Sequence, residues 1–112
     1  MGNEDFVYAL KKLGFIVFAK YRNTWQDLQK NYQKRLPTVI AWMLHGYIGH
    51  FSIIVEMSKK SIVLADPDTG KHRKISKEVF MRLWFDYDEM FFPTKKKDIH
   101  IRWAATLRGI RH

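Results

Sequence analysis

The sequence contains no cysteine among its 112 residues. These residues can therefore supply no disulfide framework, no thiolate metal site and no cysteine nucleophile. Only 3 prolines and 6 glycines are present, and no Pro/Gly/Ser-rich stretch marks a linker. The hydrophobic content of 46% is typical of a folded chain. We therefore expect one small domain with a single modest core, short for a self-contained enzyme.

Long hydrophobic runs are also missing. The longest apolar run lies at residues 37–44, well below the roughly 18 residues that a transmembrane helix needs. The N-terminal stretch "MGNEDFVYAL" is acidic and then amphipathic, so it has neither the basic nor the apolar region of a signal peptide. We expect a cytoplasmic protein, or one held at the cytoplasmic face of a membrane by a partner.

Acidic residues are few compared with basic residues, 11 against 20, which gives a net charge of +9. The excess is concentrated in residues 93–112, which we predict to be a basic extension beyond a domain at residues 1–92. Its cations are Lys95, Lys96, Lys97, Arg102, Arg108 and Arg111. A basic patch of this kind can meet nucleic acid, an acidic partner or anionic lipid, although most such runs are solvated surfaces. A basic binding module is thus an alternative function, but we do not expect nucleic acid as the partner.

Capping patterns predict three helices. Asn3 is placed to cap a helix that runs to about Leu13. Thr24, followed three residues later by Asp27, resembles a capping box, and Ser76 is placed to cap the third helix. The predicted buried stripes are Trp25, Leu28, Tyr32 and Leu36 in the second helix, and Val79, Phe80, Leu83 and Trp84 in the third.

Apolar runs between these helices predict strands. Segment 38–44, "TVIAWML", is continuously apolar, as is typical of a central strand, and "HFSIIVEM" and "SIVLAD" flank a polar break that suggests a hairpin. "DPDTGK" is a turn sequence, and "IHIRW" at 99–103 alternates like a late strand. The elements together predict an α+β domain whose sheet is antiparallel and flanked by helices.

The hairpin register decides whether His50 and Asp66 meet. If the loop is residues 58–60, Asp66 lies opposite Ser52, and His50 lies two residues further along the same face. The diagonal distance of about 7 Å is one that two such side chains can close. A loop longer or shorter by one residue would move Asp66 to the opposite face.

An aspartate beside a histidine fixes the tautomer of the ring and stabilises its cationic form, which is the role of the orienting residue in a nucleophile–base–orienter triad. Two other interpretations remain open. His50 can be an ordinary strand-end residue, and Asp66 can serve only the turn that follows it. His45, His50 and His72 match no metal-ligand spacing, so the sequence predicts neither a metal site nor a cofactor.

The order of motifs resembles one peptidase family over residues 5–88. These motifs are "LGF" after a helix, then "TWQDLQKNYQKRL", "PTVIAW", "GHFSIIVE" and "SIVLADPDTGKHRKISKEVFMRLW". They are similar to the bacteriocin-processing, papain-like cysteine peptidases of family 39, which cut double-glycine leaders and often form the front domain of an ABC exporter. "GHFSIIV" and "LADPDTGKHRKIS" are the most specific parts of the resemblance.

The resemblance implies that His50 is the general base and that Asp66 orients it. The family's nucleophilic cysteine lies on an earlier helix, with a glutamine just upstream, so we expect this chain to be N-terminally truncated relative to the family. Three functions follow: a split or incomplete peptidase domain that acts on a leader peptide, a catalytically dead peptide-binding domain, and the basic module.

The missing helix also implies an exposed surface. We expect an apolar groove near His50, lined by residues 38–44 and the first helix, that a cysteine-bearing segment, an exporter on another chain or a second copy could cover.

Overall fold

The computed structural model describes residues 3–43, 49–87 and 99–110. Its elements are α1 (Asn3–Lys12), β1 (Phe15–Lys20), α2 (Trp25–Gln33), β2 (Thr38–Met43), β3 (Gly49–Met57), β4 (Ser61–Ala65), β5 (His72–Ser76), α3 (Lys77–Leu83), β6 (Phe85–Tyr87), β7 (Ile99–Ile101) and β8 (Ala104–Ile110). The predicted α+β class, with an antiparallel sheet and flanking helices, is confirmed. None of the helices in the described ranges is long and apolar enough to span a membrane.

The main sheet has six strands in the order β1-β8-β2-β3-β4-β5, and β6 and β7 form a separate pair. Strand β8 lies between β1 and β2 and pairs with both. Residues 99–110 are therefore part of the fold, and the prediction that they belong to an extension is wrong. Hydrophobic pattern alone missed β8 because its pairing partners are distant in sequence, at residues 15–20 and 38–40.

One face of the sheet is closely packed. Helices α2 and α3 cover it, and its fully buried side chains include Leu28, Trp42, Phe80 and Trp84. The Trp84 indole N–H donates to the carbonyl of Trp103 at 3.0 Å, so its one polar group is satisfied inside the core. We call this surface of the sheet the α2–α3 face.

The opposite surface, the α1 face, is only partly covered. The side chains of Val39 and Ala41 are buried there, and α1 packs against Phe51, whose ring stacks on Phe6 with centroids 4.8 Å apart. Further along the same face, Ile53 remains 37% exposed. The two faces of one sheet thus differ strongly in how well they are packed.

The helix boundaries follow two of the three predicted caps. Thr24 and Asp27 form the predicted capping box, and the Ser76 hydroxyl accepts from the Val79 N–H at 3.2 Å. Asn3 instead lies in the first turn of α1, buried, and its side-chain amide has no hydrogen-bond partner among the described residues. The predicted Asn3 cap is therefore wrong.

The buried stripes are shorter than predicted. Helix α2 ends at Gln33, so Leu36 lies beyond it, and Tyr32 is 38% exposed on its last turn. In α3 the side chain of Val79 is 45% exposed while Phe80 is fully buried. Only the residues that point directly at the sheet are buried, because both helices are short.

Candidate active site

The β3–β4 hairpin sets the register between the two strands that position His50 and Asp66. A bulge in β3 compensates for a loop that differs in length from the predicted one. The predicted loop would pair Met57 with Ser61, but the structure pairs Met57 with Ile62. A register shift between Ile54 and Glu56 then leaves Val55 as one extra residue in β3. Beyond this bulge the predicted pairing returns, because Ile53 lies opposite Ala65.

His50 and Asp66 are in contact as a result. His50 lies near the start of β3, and Asp66 directly follows the last residue of β4. The His50 Nε2 atom and the Asp66 Oδ2 atom are 3.1 Å apart, and both side chains are mostly but not fully buried. The bulge thus offsets the one-residue error in the predicted loop and keeps the two side chains on one face.

The carboxylate is held from two sides. Its Oδ1 atom accepts from the Asp68 backbone N–H at 2.8 Å, which closes an Asx turn around Pro67, while Oδ2 faces His50. The Asp66 backbone carbonyl also accepts from the Gly70 N–H at 2.7 Å, and Gly70 has a φ of 73°. The turn therefore fixes the orientation of the carboxylate before any contact with the histidine is counted.

The same contacts favour the ionised form of Asp66. Its pKa lies below the ordinary value, chiefly because the Asp68 N–H donates to the carboxylate, with further hydrogen-bonding and charge contributions from His50. Partial burial opposes this shift but does not cancel it. At neutral pH the site thus presents a carboxylate and not a carboxylic acid to the ring.

An ionised Asp66 decides which ring nitrogen of His50 is basic. A carboxylate can only accept hydrogen bonds, so the His50 Nε2 atom at 3.1 Å must carry a proton. In the neutral ring the other nitrogen, Nδ1, is then the acceptor. Nδ1 is therefore the atom of this pair that can take a proton from a third group.

The surroundings of the pair lie on the α2–α3 face. His50 is directly opposite Trp42 in β2, whereas the next residue, Phe51, is opposite Ala41 on the α1 face. Helix α1 packs against Phe51, so it lies across the sheet from His50. The prediction that the first helix lines a groove beside His50 is therefore wrong.

A second polar contact beside the pair was not foreseen. The Trp42 indole N–H donates to the Ser52 hydroxyl at 2.9 Å, and both side chains are buried. Ser52 is two residues from His50 on the same face, so this contact ties β2 to β3 close to the site. Alternation places both residues on one face, but the sequence has no signal that specifies the hydrogen bond.

The other candidate residues do not join this site. His72 lies opposite Ala65, which pairs with Ile53 on the α1 face, and is therefore on the other side of the sheet from His50. His45, which lies outside the described residues, was the third member of that candidate metal group. Within the described ranges no three His, Asp, Glu or Cys side chains gather as metal ligands.

The predicted basic patch is only partly described. Arg108 lies on β8 with its guanidinium 4.6 Å from the centre of the Phe18 ring, and Arg102 has a φ of 51° in the turn before β8. The remaining members, Lys95, Lys96, Lys97 and Arg111, lie outside the described residues. Arg108 lies on β8 and Arg102 shortly before it, and β2 separates β8 from the strand that carries His50.

An antiparallel α+β domain that holds a histidine against an oriented carboxylate has an arrangement that a peptidase-like domain can use. The sequence model of the peptidase C39 family matches residues 3–97, which include both His50 and Asp66. The chain therefore belongs to the peptidase C39 family. No curated protein matches the chain.

Proposed function

We propose that this domain supplies the base and the orienting carboxylate of a papain-like cysteine peptidase site that acts on double-glycine leader peptides. The observation that carries the proposal is the 3.1 Å contact between His50 Nε2 and Asp66 Oδ2. It leaves Nδ1 as the proton acceptor, as general-base catalysis requires. Membership of the peptidase C39 family supports the same chemistry at the level of peptidase activity.

The nucleophile must come from outside these 112 residues, because they contain no cysteine. A thiol placed beside His50 would lose its proton to Nδ1, and the thiolate would attack the scissile carbonyl carbon. Asp66 would stabilise the resulting imidazolium, which would return the proton to the leaving amine. Ser52 is not a substitute, since its hydroxyl is buried and accepts from Trp42.

A cleavage assay with the nucleophile added in trans tests this proposal. The purified chain is mixed with a leader peptide ending in Gly-Gly, with or without a helical segment carrying Gln-x-x-x-x-x-Cys-Gly. We expect no cleavage by the chain alone and cleavage only when the segment is present. His50→Ala should abolish cleavage, as should Cys→Ser in the added segment.

Two other outcomes would each favour an alternative function over the proposed one. Leader binding without cleavage, unchanged in His50→Ala, would favour a catalytically dead peptide-binding domain. Binding of DNA or RNA at physiological salt, with no binding of the leader, would favour the basic module, and that binding should weaken steeply as salt rises.

A further inference from the structure

The two edges of the six-stranded sheet differ in how they are protected. Strand β5, at one edge, exposes His72, Arg73 and Lys74. Strand β1, at the other edge, reads "FIVFAK" and pairs only with β8 among the described residues. Charged side chains, prolines and bulges are the usual means of preventing an edge from pairing with another chain. Except for Lys20 at its end, β1 has none of them.

The side chains of β1 favour a strand partner on this open edge. Ile16 and Phe18 point to one face and are each 46% exposed, while Val17 and Ala19 alternate with them on the α1 face. The β1–β8 bulge falls at Arg108 in β8, so β1 itself is a regular six-residue strand. Such a strand is about 20 Å long and offers unpaired backbone groups along its outer side.

We infer that two copies of this chain pair through β1, antiparallel, with a two-fold axis at Val17. This register places Ile16 of each copy opposite Phe18 of the other and Val17 opposite itself. Cross-strand pairs of large apolar side chains stabilise a sheet, and here both would leave water together. Each Lys20 would fall beyond the facing strand, opposite Gly14, so no cation would face another across the pair.

Helix α1 carries charges that suit the same two-fold axis. Only Leu13 and Gly14 separate α1 from β1, so the helix runs back along the strand that it packs on. Its first turn includes the exposed Glu4 and its last turn the exposed Lys11. An axis at Val17 makes the two α1 helices antiparallel on one face, with Glu4 of each copy towards Lys11 of the other. This charge complementarity is the reason for choosing a second copy as the occupant.

A groove beside the edge adds surface that a partner could cover. A cavity of about 510 Å³ lies between α1 and β1, with Tyr8, Lys11, Val17 and Phe18 in its lining. Tyr8, midway along α1, is 67% exposed. Stable dimers usually bury about 1,200–2,000 Å² in total, more than one six-residue strand provides. The facing α1 helices supply the additional surface.

Light scattering over a concentration series measures the association. We expect the unmodified chain to become dimeric as its concentration rises. Ile16→Lys with Phe18→Lys would set cations opposite one another and raise the dimer dissociation constant at least about tenfold. Val79→Lys is the control, because it adds a lysine at an equally exposed apolar position on α3 and should leave dimerisation unchanged.

Oxidative cross-linking tests the register and does not depend on those lysine variants folding. The chain has no cysteine, so a single introduced thiol can react only with its copy. Val17→Cys should form a disulfide-linked dimer, because directly opposed residues bring Cα atoms about 4.5–5.5 Å apart. Ala19→Cys should not, because the two Ala19 positions would be offset by four residues. A monomer at every concentration, or cross-linking of Ala19→Cys but not Val17→Cys, overturns the proposal.

Mixing two charge variants tests the α1 contact. Glu4→Lys and Lys11→Glu each give like charges across the axis and should weaken their own dimers by about tenfold, since each exposed pair occurs twice. An equimolar mixture should form heterodimers more readily than either variant forms homodimers. A heterodimer no more than twice as abundant as each homodimer in native mass spectra, as random pairing gives, would contradict the helix arrangement.

Discussion

The two faces of the main sheet are built from the same strands but are packed very differently. On the α2–α3 face, Trp42, Phe80 and Trp84 are at most 2% exposed. On the α1 face, Phe51 is only half-buried and Ile53 is 37% exposed. The α2–α3 face therefore holds the larger buried cluster, and His50 lies on that face with its side chain still partly accessible.

Truncating the packed face should have the largest effect. Phe80→Ala removes a fully buried ring that contacts Trp25 and Trp84, and it should lower the free energy of unfolding by about 3–5 kcal/mol. Urea unfolding followed by tryptophan fluorescence measures the change. Val79→Ala, on the neighbouring exposed position, is the control and should cost less than about 0.5 kcal/mol. Similar losses for both variants would contradict the described packing.

A phenylalanine-to-alanine change on the α1 face should lower the free energy of unfolding by less. Phe51 stacks on Phe6 and lies 5.8 Å from the Trp103 ring, but it is only half-buried. Phe51→Ala should therefore lower the free energy of unfolding by roughly 2 kcal/mol, about half of the value for a fully buried ring. A loss as large as that of Phe80→Ala in the same urea experiment would mean that the two faces contribute equally.

Much of the fold could be predicted from the sequence, and the part that could not has a physical reason. Capping signals act within four residues, so Thr24 and Ser76 were placed correctly. The position of β8 depends on pairing with β1 and β2, and nothing local to residues 104–110 encodes that pairing. Asn3 failed as a cap because its burial depends on what α1 packs against and not on its neighbours in the chain.

The site shows the same limit. The Asp66 turn is local and was predicted from "DPDTGK", whereas the bulge at Val55 has no sequence signal and was missed. The predicted contact of His50 with Asp66 agrees with the structure because the bulge cancels the one-residue error in loop length. The side of the sheet on which α1 lies was predicted wrongly, since an amphipathic helix specifies that it packs but not on which face.

Acid should destabilise the packed side through two aspartates. The pKa of Asp66 is lowered chiefly by the Asp68 N–H and that of Asp27 chiefly by the Thr24 N–H, each from an ordinary value of 3.8. A carboxyl with a lowered folded pKa stabilises the fold fully above its unfolded pKa, and this contribution is lost as pH falls through the folded value.

Asp66→Asn and Asp27→Asn should therefore each lose less stability than the unmodified chain as pH falls below about 4. Urea unfolding at pH 5, 4 and 3 measures the difference in slope. A variant whose stability falls in parallel with that of the unmodified chain would show that its carboxyl is not stabilised in the folded state. Because Asp66 lies in a turn and Asp27 at the start of α2, both outside the core, we expect smaller changes than in either phenylalanine variant.

Removing the bulge should have the smallest effect of all. Deleting Val55 would make Glu56 and Ile54 consecutive, and these residues already pair with the consecutive Val63 and Leu64. The ladder would become regular without moving either end, and Val55 itself is 41% exposed, with little packing to lose. We therefore expect near-unchanged stability and an unchanged contact between His50 and Asp66.

Inserting one residue beside Val55 is the opposite control. It would give β3 two extra residues relative to β4, and this would favour a register slip that turns His50 away from Asp66. The ring resonances of His50, followed by NMR in each variant with and without Asp66→Asn, report the contact. If the deletion abolishes the response to Asp66→Asn, the bulge positions the site and is more than a correction of loop length.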